Sequence, residues 1–466
     1  MADTPELHRV TPGNKRAFAV TDLRSPREMD LLDDRWPGYL RVSWFSLFLV
    51  FGSMIEILLA VLQIEIRIEI LARALFVCSA GVVMMRARDR SHLAPANVQG
   101  AALLLCGFAL ISLVKDLLMS ASASAAMDSF VFIYGIGILL VFSAIVPLSA
   151  RFGSLFLLLA ITCVIFGLLQ LATQSLYLPA EYLREIGLVY EKFVNDRLRV
   201  VSFFRSPPRF AEFLVVISLL ILNKLLVGDA VRGVARGRAF LWTGYITCVI
   251  LIVNTYSRAG YVLFVTTSIV LVLSRRGYVR GGKGIGRLGS YLISVLAGGT
   301  VLLLALDKIP FDRSVLDTTS YISRQDNWAS LIQRVYQGSV LDLFVGFGVS
   351  ARFPRGDPRY FIIDNLWFAL FLYGGILSLL GTSLMSVVVV RYALSVQRAG
   401  DRSLGPWIVL IPGLWVEGAF VDNHNTLFVC LLLILGLVSS AQRRIALSEG
   451  VGIAKGPLRA MRALRT

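Results

Sequence analysis

The chain has 466 residues, of which 56% are hydrophobic, and its formal net charge at pH 7 is +16. Soluble domains of this length are far less apolar, so the composition excludes an ordinary water-soluble enzyme and favours a polytopic membrane protein. Helices are expected, because a helix satisfies its own backbone hydrogen bonds in lipid. The basic residues are distributed among loops instead of one soluble domain, which argues against nucleic-acid binding.

About twelve apolar segments are long enough to cross a bilayer as helices. They lie near 38–62, 68–86, 97–117, 127–149, 152–173, 210–228, 238–255, 259–274, 288–306, 375–396, 404–421 and 424–441. The expected fold class is therefore all-α, a bundle of transmembrane helices embedded in the lipid bilayer. Segment 361–373 is apolar but short, so a half-helix or an interfacial helix is an alternative to a full crossing there.

The basic loops predict the orientation of the chain in the membrane. The C-terminal tail and three loops are rich in arginine and lysine and fall on one face, the loops near 86–90, 224–238 and 274–287. The positive-inside rule makes that face cytoplasmic. The sequence thus predicts a cytoplasmic N-terminal tail, a transmembrane domain and a basic cytoplasmic C-terminal tail, at 1–37, 38–441 and 442–466.

Two long loops, near 174–209 and 307–360, then face the opposite, outward side. Outward loops are normally poor in basic residues, but both of these contain several arginines. A guanidinium makes permanently charged, bidentate contacts to phosphate or carboxylate, so the arginines together predict an anion-binding site. Ion pairing with acidic residues of the same loops is the alternative for any single arginine.

Two outward elements supply the first candidate site residues. The motif SRAG at 257–260 lies where one span emerges and the next re-enters the membrane. Its Arg258, with Ser257 beside it, is a candidate anion ligand, and a snorkelling interfacial arginine is the alternative. Arg199 precedes the Pro-Pro pair at 207–208, which marks a helix start after the first long loop.

The stretch from Arg324 to the Gly-Gly pair at 374–375 carries the third set of candidates. Trp328, four residues after Arg324, is placed to stack on a sugar ring or to pack in the fold. Gly346 and Gly348 permit a tight backbone turn or the close approach of a ligand. Because this stretch lies outside the membrane, it predicts a second part of an outward-facing anion site.

An Asp364-Asn365 pair opens the next apolar run. A carboxylate there is suited either to cap a helix N-terminus or to act as a general base on a hydroxyl. Glu417 and the segment 422–425 form a further outward polar island, whose single histidine does not make a metal site. The cysteines all lie in apolar runs and predict small buried side chains instead of disulfides, at 78, 106, 163, 248 and 430.

Three of these patterns together resemble the O-antigen ligase / polysaccharide polymerase family of bacterial membrane proteins. They are RVVSFF–SPP at 199–208, SRAG at 257–260, and R–W–GFG–DN–GG from 324 to 375. Their order and spacing match the family, as do the outline of about twelve spans and the large outward loop. The resemblance covers the part of the chain from about residue 195 to residue 440.

The resemblance implies a GT-C-like membrane glycosyltransferase in the bacterial inner membrane, with its active site facing the periplasm. Such proteins transfer a glycan from a polyprenyl-diphosphate-linked donor to the hydroxyl of a glycan acceptor, without a nucleotide sugar, another cofactor or a metal ion. Chain-length regulators and export proteins are further implied partners. The resemblance assigns binding of the diphosphate to Arg258 and Arg324. The residues themselves make Asp364 the candidate catalytic base for the acceptor hydroxyl, and they add six candidate substrate contacts, Arg199, Ser257, Trp328, Gly346, Gly348 and Asn365.

Two activities within the family remain open, and one lies outside it. Ligases of the family commonly carry His-Asn where this chain has Asp364-Asn365, and the difference favours a polymerase that joins repeat units into a long chain. A ligase that moves a finished glycan to a lipid core or protein is the alternative. A transporter or flippase of lipid-linked sugars also suits about twelve spans, although the sequence shows no two-half repeat and no clearly charged path through the spans.

Overall fold

The computed structural model describes most residues in 96–119, 150–177, 193–227, 235–278, 329–347, 365–398, 402–421 and 424–448, and structural statements below concern these residues. They are almost entirely helical. The helices are α1 (Ala96–Met119), α2 (Ala150–Thr173), α3 (Pro207–Val227), α4 (Ala235–Asn254), α5 (Arg258–Tyr278), α6 (Val340–Val345), α7 (Leu366–Arg398), α8 (Gly405–Glu417) and α9 (His424–Ser448). Two short antiparallel strands, β1 (Phe193–Val194) and β2 (Arg197–Leu198), precede α3.

Helices α2, α3, α4, α5 and α7 contain segments long and apolar enough to cross a membrane. They coincide with the predicted spans at 152–173, 210–228, 238–255, 259–274 and 375–396. The expectation of a helical, multi-pass membrane protein is therefore confirmed in this coarse form. Helices α1, α8 and α9 begin within a few residues of three further predicted spans, and α9 continues to Ser448, past its predicted end at 441.

The remaining predicted spans lie outside the described residues, as do the N-terminal tail and most of the C-terminal tail. These spans are 38–62, 68–86, 127–149 and 288–306. The structure therefore supports several membrane-spanning helices without testing the full span number.

Helix α3 lies at the centre of the described bundle, in contact with α4, α5 and α8. Its Phe210 and Leu214 are fully buried, which agrees with an all-round apolar helix in the middle of a bundle. Small residues bring the helices close together, since a Cβ on Gly413 of α8 would lie 2.3 Å from the Thr267 side chain of α5. The resulting core extends through most of the described helices.

Contacts at the helix ends show which ends of the bundle lie together. At one end, Arg275 of α5 donates to Asn223 near the end of α3 and lies against Gly405, the first residue of α8. At the other end, Val200 donates to the carbonyl of Asn254, the last residue of α4, at 3.0 Å. This second end, called the outer end below, carries the loops that the positive-inside rule places outward.

Helix α7 contains a sharp break at Gly375, whose φ of 67° and ψ of −164° are non-helical. The residues before the break, Leu366 to Gly374, form a short helical piece, and those after it form the long one. The short piece corresponds to the described part of segment 361–373, where the sequence left a half-helix open. Only glycine adopts this backbone region without strain, so Gly375 determines where α7 bends.

Candidate functional site

The outer end of the bundle brings together the loop before α3, the turn between α4 and α5, and the start of α7. The loop before α3 is held to α2 by Gln170, a fully buried side chain. Its Oε1 accepts from the amides of Val201 and Ser202, at 3.2 and 2.8 Å, and its Nε2 donates to the carbonyls of Leu176 and Ser202. Three of these four contacts hold the RVVSFF segment in place, and Ser202 there has a φ of 51°.

Aromatic packing also holds this loop in place. The ring of Phe203 stacks on Phe166 of α2, with ring centroids 4.1 Å apart. The next residue, Phe204, is buried against Phe210 and Phe213 at the start of α3. The RVVSFF segment is therefore a rigid element of the outer end, as expected of a loop that positions functional side chains.

Arg199 is directed into the protein. Its side chain is only 6% exposed, its Nε donates to the carbonyl of Thr255 at 3.1 Å, and its Nη2 donates to the carbonyl of Tyr256 at 3.3 Å. These carbonyls follow the C-terminus of α4, where a positive group offsets the partial negative charge of the helix end. The contacts give Arg199 a direct part in holding the turn that precedes Arg258.

The turn between α4 and α5 is unusual in its backbone. Tyr256 has a φ of 49°, in the left-handed region that residues other than glycine seldom adopt. Ser257 follows it as a buried residue, and its Oγ accepts from the Gly260 amide at 3.2 Å, in the manner of an N-cap. The strained residue and the cap together set the point at which α5 begins.

Arg258 is the first residue of α5, and its side chain is exposed at the outer end. The helix enters the bundle closely here, because a Cβ on Gly260 would lie 2.4 Å from Cβ of Ala211 in α3. Glycine is therefore required two residues after the arginine. Arg258 thus lies at a helix N-terminus, where the partial positive charge of the helix end also favours an anion.

Gly346 follows α6 and packs against the break in α7. It has a φ of 83°, and a Cβ there would lie 2.5 Å from the Gly374 amide nitrogen. The Phe347 amide donates to the Leu372 carbonyl at 2.6 Å. The first glycine of the GFG turn is thus in direct backbone contact with the Gly-Gly pair. The sequence showed only that these glycines belong to the same stretch of the chain.

Lys115, near the end of α1, holds the same turn. Its ammonium group donates both to the Asp342 carboxylate and to the Gly346 carbonyl, and it lies 5.8 Å from the centre of the Phe347 ring. Asp342 also accepts from the backbone amide and hydroxyl of Ser339 in a capping box at the start of α6. The sequence offered no signal for this ion pair, whose members are 227 residues apart.

The Lys115–Asp342 pair predicts a pH dependence of the α6 turn. Partial burial by itself would raise the pKa of Asp342, but hydrogen bonds from Lys115 and Ser339 outweigh it and hold the pKa below its ordinary value of 3.8. The ion pair therefore stabilises the turn above about pH 4, and this contribution is lost as the pH falls through the lowered pKa. Hydrogen exchange over 340–347, corrected for intrinsic rates, should show protection that declines below about pH 4.

Asp342→Asn supplies the control for this expectation. The amide keeps the shape of the side chain but has no carboxyl group to titrate. Segment 340–347 should then be less protected at neutral pH and should show no decline in protection that is specific to acid. An unchanged decline in the Asp342→Asn variant would assign the titration to another group.

Asn365 caps the start of α7. Its Oδ1 accepts from the amides of Trp367 and Phe368 at 2.8 and 3.1 Å, and the residue is 7% exposed. The Leu366 amide donates to the Gly418 carbonyl at 2.7 Å, so the start of α7 lies beside the end of α8. The sequence had left a capping role open for the carboxylate of Asp364, which lies outside the described residues; the cap that the structure shows is Asn365.

Two buried carboxylates lie at the outer end and were not among the candidate site residues. Glu212 of α3 is 3% exposed and accepts from the Thr426 hydroxyl of α9. Glu417, the last residue of α8, is fully buried, and both carboxylates lie within electrostatic reach of Cys430. An acidic residue five positions after a helix-opening Pro207 is the sequence signal that could have found Glu212, since ionisable residues within spans are commonly functional.

The structure thus groups the candidates into two sets. Arg199, Ser257 and Arg258 lie together around the turn between α4 and α5, whereas Gly346 lies at the break of α7, whose start Asn365 caps. The other predicted site residues lie outside the described residues, namely Arg324, Trp328, Gly348 and Asp364. In the described part, no group of three or more His, Cys, Asp or Glu side chains is arranged to hold a metal ion.

Neither the protein-family profiles nor the curated proteins contain a match to this chain. The resemblance to the O-antigen ligase / polysaccharide polymerase family therefore rests on the motifs of this sequence alone, and the function that it implies is a proposal.

Proposed function

We propose that the protein is a polysaccharide polymerase that joins polyprenyl-diphosphate-linked repeat units into a long surface polysaccharide or exopolysaccharide. In this proposal the chain is a GT-C-like bundle of about twelve spans in the bacterial inner membrane, with its active site on the periplasmic side. The observation that carries it is the placement of Arg258. This permanent cation is exposed at the first position of α5, on a turn that Arg199 and Ser257 hold in place.

The chemistry needs an anion site at the membrane face. The bond between the anomeric carbon and the diphosphate oxygen breaks, its electron pair stays on the leaving diphosphate, and the acceptor hydroxyl oxygen bonds to the anomeric carbon. In the proposal Arg258 and Arg324 hold the diphosphate, and Asp364 accepts the proton of the hydroxyl. Two unit charges 4 Å apart at an effective dielectric constant of 20 attract by about 4 kcal/mol before desolvation, which is enough for positioned arginines to matter.

Rigid support of Arg258 makes this electrostatic contribution effective. A cation that is already in place when charge develops on the leaving group avoids the cost of reorganisation at the moment of reaction. The N-terminal amides of α5 add partial positive charge at the same point. These features of the described outer end support a diphosphate site at Arg258.

Arg258→Ala should reduce long-chain glycan by about 100-fold or more, as the loss of one preorganised charge contact does in other enzymes. The measurement is the glycan profile of cells that carry the variant at normal protein abundance. Arg209→Ala is the matched control, because Arg209 is also an exposed arginine near the start of an outer-end helix. Full-length polymer from Arg258→Ala would refute the site assignment.

Reconstitution distinguishes a polymerase from a ligase. With lipid-linked repeat units as the only glycan, a polymerase lengthens the donor pool, whereas a ligase forms no product until a lipid-core or protein acceptor is added. Product that appears only with such an acceptor would replace the polymerase proposal with the ligase.

A specific observation favours one function of another class. The buried carboxylates of Glu212 and Glu417 resemble the intramembrane acids of proton-coupled transporters, so a transporter or flippase of lipid-linked sugars is the second candidate. Movement of lipid-linked sugar across proteoliposome membranes without any new glycosidic bond would support it. The same preparation tests both candidates, because transport and polymer length are measured separately.

A further inference from the structure

The short helix α6 and the residues before it carry large apolar side chains on their exposed face. Val340 is 70% exposed, Leu341 58% and Phe344 49%, and Tyr336 before the helix is exposed as well. Scattered exposed apolar residues are common, but four within nine positions of one segment form a patch. A water-exposed loop helix would normally turn such side chains inward.

The charged side chain of this segment is directed toward the protein and away from the exposed apolar face. Within 335–347 the only side chain charged at neutral pH is that of Asp342, and it is directed to Lys115 of α1. Asp342 also forms the capping box with Ser339. The segment thus packs toward the protein through this ion pair and through Val335, Val345 and Phe347. It leaves Val340, Leu341 and Phe344 exposed without a charge among them, as at a surface in contact with lipid.

The position of α6 in the bundle agrees with contact with lipid. The Gly346 backbone packs against the Gly374 and Gly375 backbone in α7, a helix long and apolar enough to span a membrane. Beyond that contact, α7 exposes Ile376 and Leu380, whose side chains are 36% and 59% exposed. The apolar exposure of the spanning helix therefore begins next to the point where α6 is attached.

Helix α1, which Lys115 joins to α6, also exposes apolar side chains near this contact. Val114 and Ile111, the residues one and four positions before Lys115, are 47% and 50% exposed. Lys115 itself is directed inward to α6, so its charge is withdrawn from the exposed surface. Each of α1, α6 and α7 therefore exposes apolar side chains near the Lys115–Asp342 pair or the break in α7, and α7 is long and apolar enough to span a membrane.

We propose that α6 is an interfacial helix whose exposed face consists of Val340, Leu341 and Phe344. This face is inserted among the acyl chains in the outward-facing leaflet of the membrane that the chain spans. The partner is the bilayer lipid itself, since α6 is attached to α7, a helix long and apolar enough to span a membrane, next to the point where α7 exposes apolar side chains. Interfacial helices bury their apolar side about 5–10 Å into the boundary between headgroups and acyl chains. Segment 335–347 is then fixed to the membrane surface beside the break in α7, whatever reaction the protein performs.

Site-directed spin labelling of the full chain in nanodiscs tests this inference. Nitroxides are attached at Leu341→Cys and Phe344→Cys after replacement of the native cysteines, and their accessibility to oxygen and to a water-soluble nickel complex is compared. Gln337→Cys is the matched polar exposed position of the same segment, and Leu380→Cys is the lipid-facing reference. The nanodiscs contain only purified phosphatidylethanolamine and phosphatidylglycerol, so that no polyprenyl lipid is present.

The expected ratio of oxygen to nickel accessibility is about threefold or more higher at 341 and 344 than at 337, approaching that at 380. Equal nickel access at 337, 341 and 344 would overturn the proposal. So would protection that appears only after a polyprenyl lipid is added, or dipolar broadening that reveals a second copy of the chain on this face. Each variant is first checked for wild-type thermal stability, and the two labelled positions serve as independent replicates.

Discussion

Gly375→Ala is expected to lower the stability of the protein so far that little folded protein is recovered. Gly375 has a φ of 67° and a ψ of −164°, a backbone region that is essentially restricted to glycine. A Cβ at this position would lie 2.2 Å from the carbonyl oxygen of Phe344 and 2.6 Å from the amide nitrogen of Gly346. Because the atoms in the way belong to the backbone, no side-chain rotation relieves the overlap.

The expected loss of stability follows from two separate costs. Holding a residue with a Cβ in this glycine-restricted backbone region costs about 1–3 kcal/mol, and overpacking at a close contact costs about 1–3 kcal/mol. Together they predict a loss of about 2–6 kcal/mol, a large part of the stability of a typical protein. The measurement is the thermal unfolding midpoint of the purified variant in detergent, with its yield as a monodisperse species.

Gly107→Ala provides the matched control for this prediction. Gly107 lies within α1, and nothing occupies the space within 4 Å of a Cβ built there. Alanine is favoured over glycine in a helix by about 1 kcal/mol, so this variant should be as stable as the wild type or slightly more so. Equal unfolding midpoints for Gly375→Ala and wild type would mean that the break in α7 is not where the structure places it.

The coarse fold could be predicted from the sequence because its signal is local. Runs of about twenty apolar residues indicate spans wherever they occur, and the described helices α2 to α5 fall on such runs. The bend in α7 is only partly local. The glycines permit it, but the sequence does not say that Gly346, far away in the chain, packs against Gly374 and Gly375.

The candidate site shows the limit of this reasoning more clearly. Arg258 and Arg199 both appear in the sequence as arginines of outward loops, and nothing local distinguishes a ligand-facing guanidinium from one that binds backbone carbonyls. The structure shows that Arg199 is buried and donates to the carbonyls of Thr255 and Tyr256, whereas Arg258 is exposed, which is the basis for proposing Arg258 as the ligand. The Lys115–Asp342 pair was missed for the same reason, because long-range partners leave no periodic pattern.

Arg199→Ala is expected to reduce the stability of the protein. It should also reduce the proposed polymerase activity, because Arg199 holds the turn that carries Arg258. The substitution leaves the carbonyls of Thr255 and Tyr256 without the donors that the guanidinium provides. Hydrogen bonds to charged groups contribute about 1.5–3 kcal/mol each, and non-additivity between neighbours reduces their sum, so we expect a loss of about 2–4 kcal/mol. Hydrogen exchange over 254–260 should rise, and polymer formation should fall together with it.

Arg199→Lys separates a positioning role from direct binding of substrate. A lysine keeps the charge and can donate to one of the two carbonyls, so a positioning residue should recover part of the stability and part of the exchange protection. Arg209→Ala, the exposed control, should change neither. If Arg199→Ala instead kept wild-type stability and exchange but raised KM for the lipid-linked donor, Arg199 would contact substrate directly.

A double-mutant cycle tests whether Arg199 acts through Arg258. If its effect on activity runs through the turn at 255–257, removal of Arg199 should change little in a protein that already lacks Arg258, and the two activity losses should be strongly non-additive. Independent contacts to the diphosphate would give losses that add in free energy. The stability loss of Arg199→Ala should persist in the Arg258→Ala background, because the carbonyls of Thr255 and Tyr256 lose their donors in either protein. Persistence of the stability loss together with loss of the activity effect is therefore the combined result that the geometry of this turn predicts.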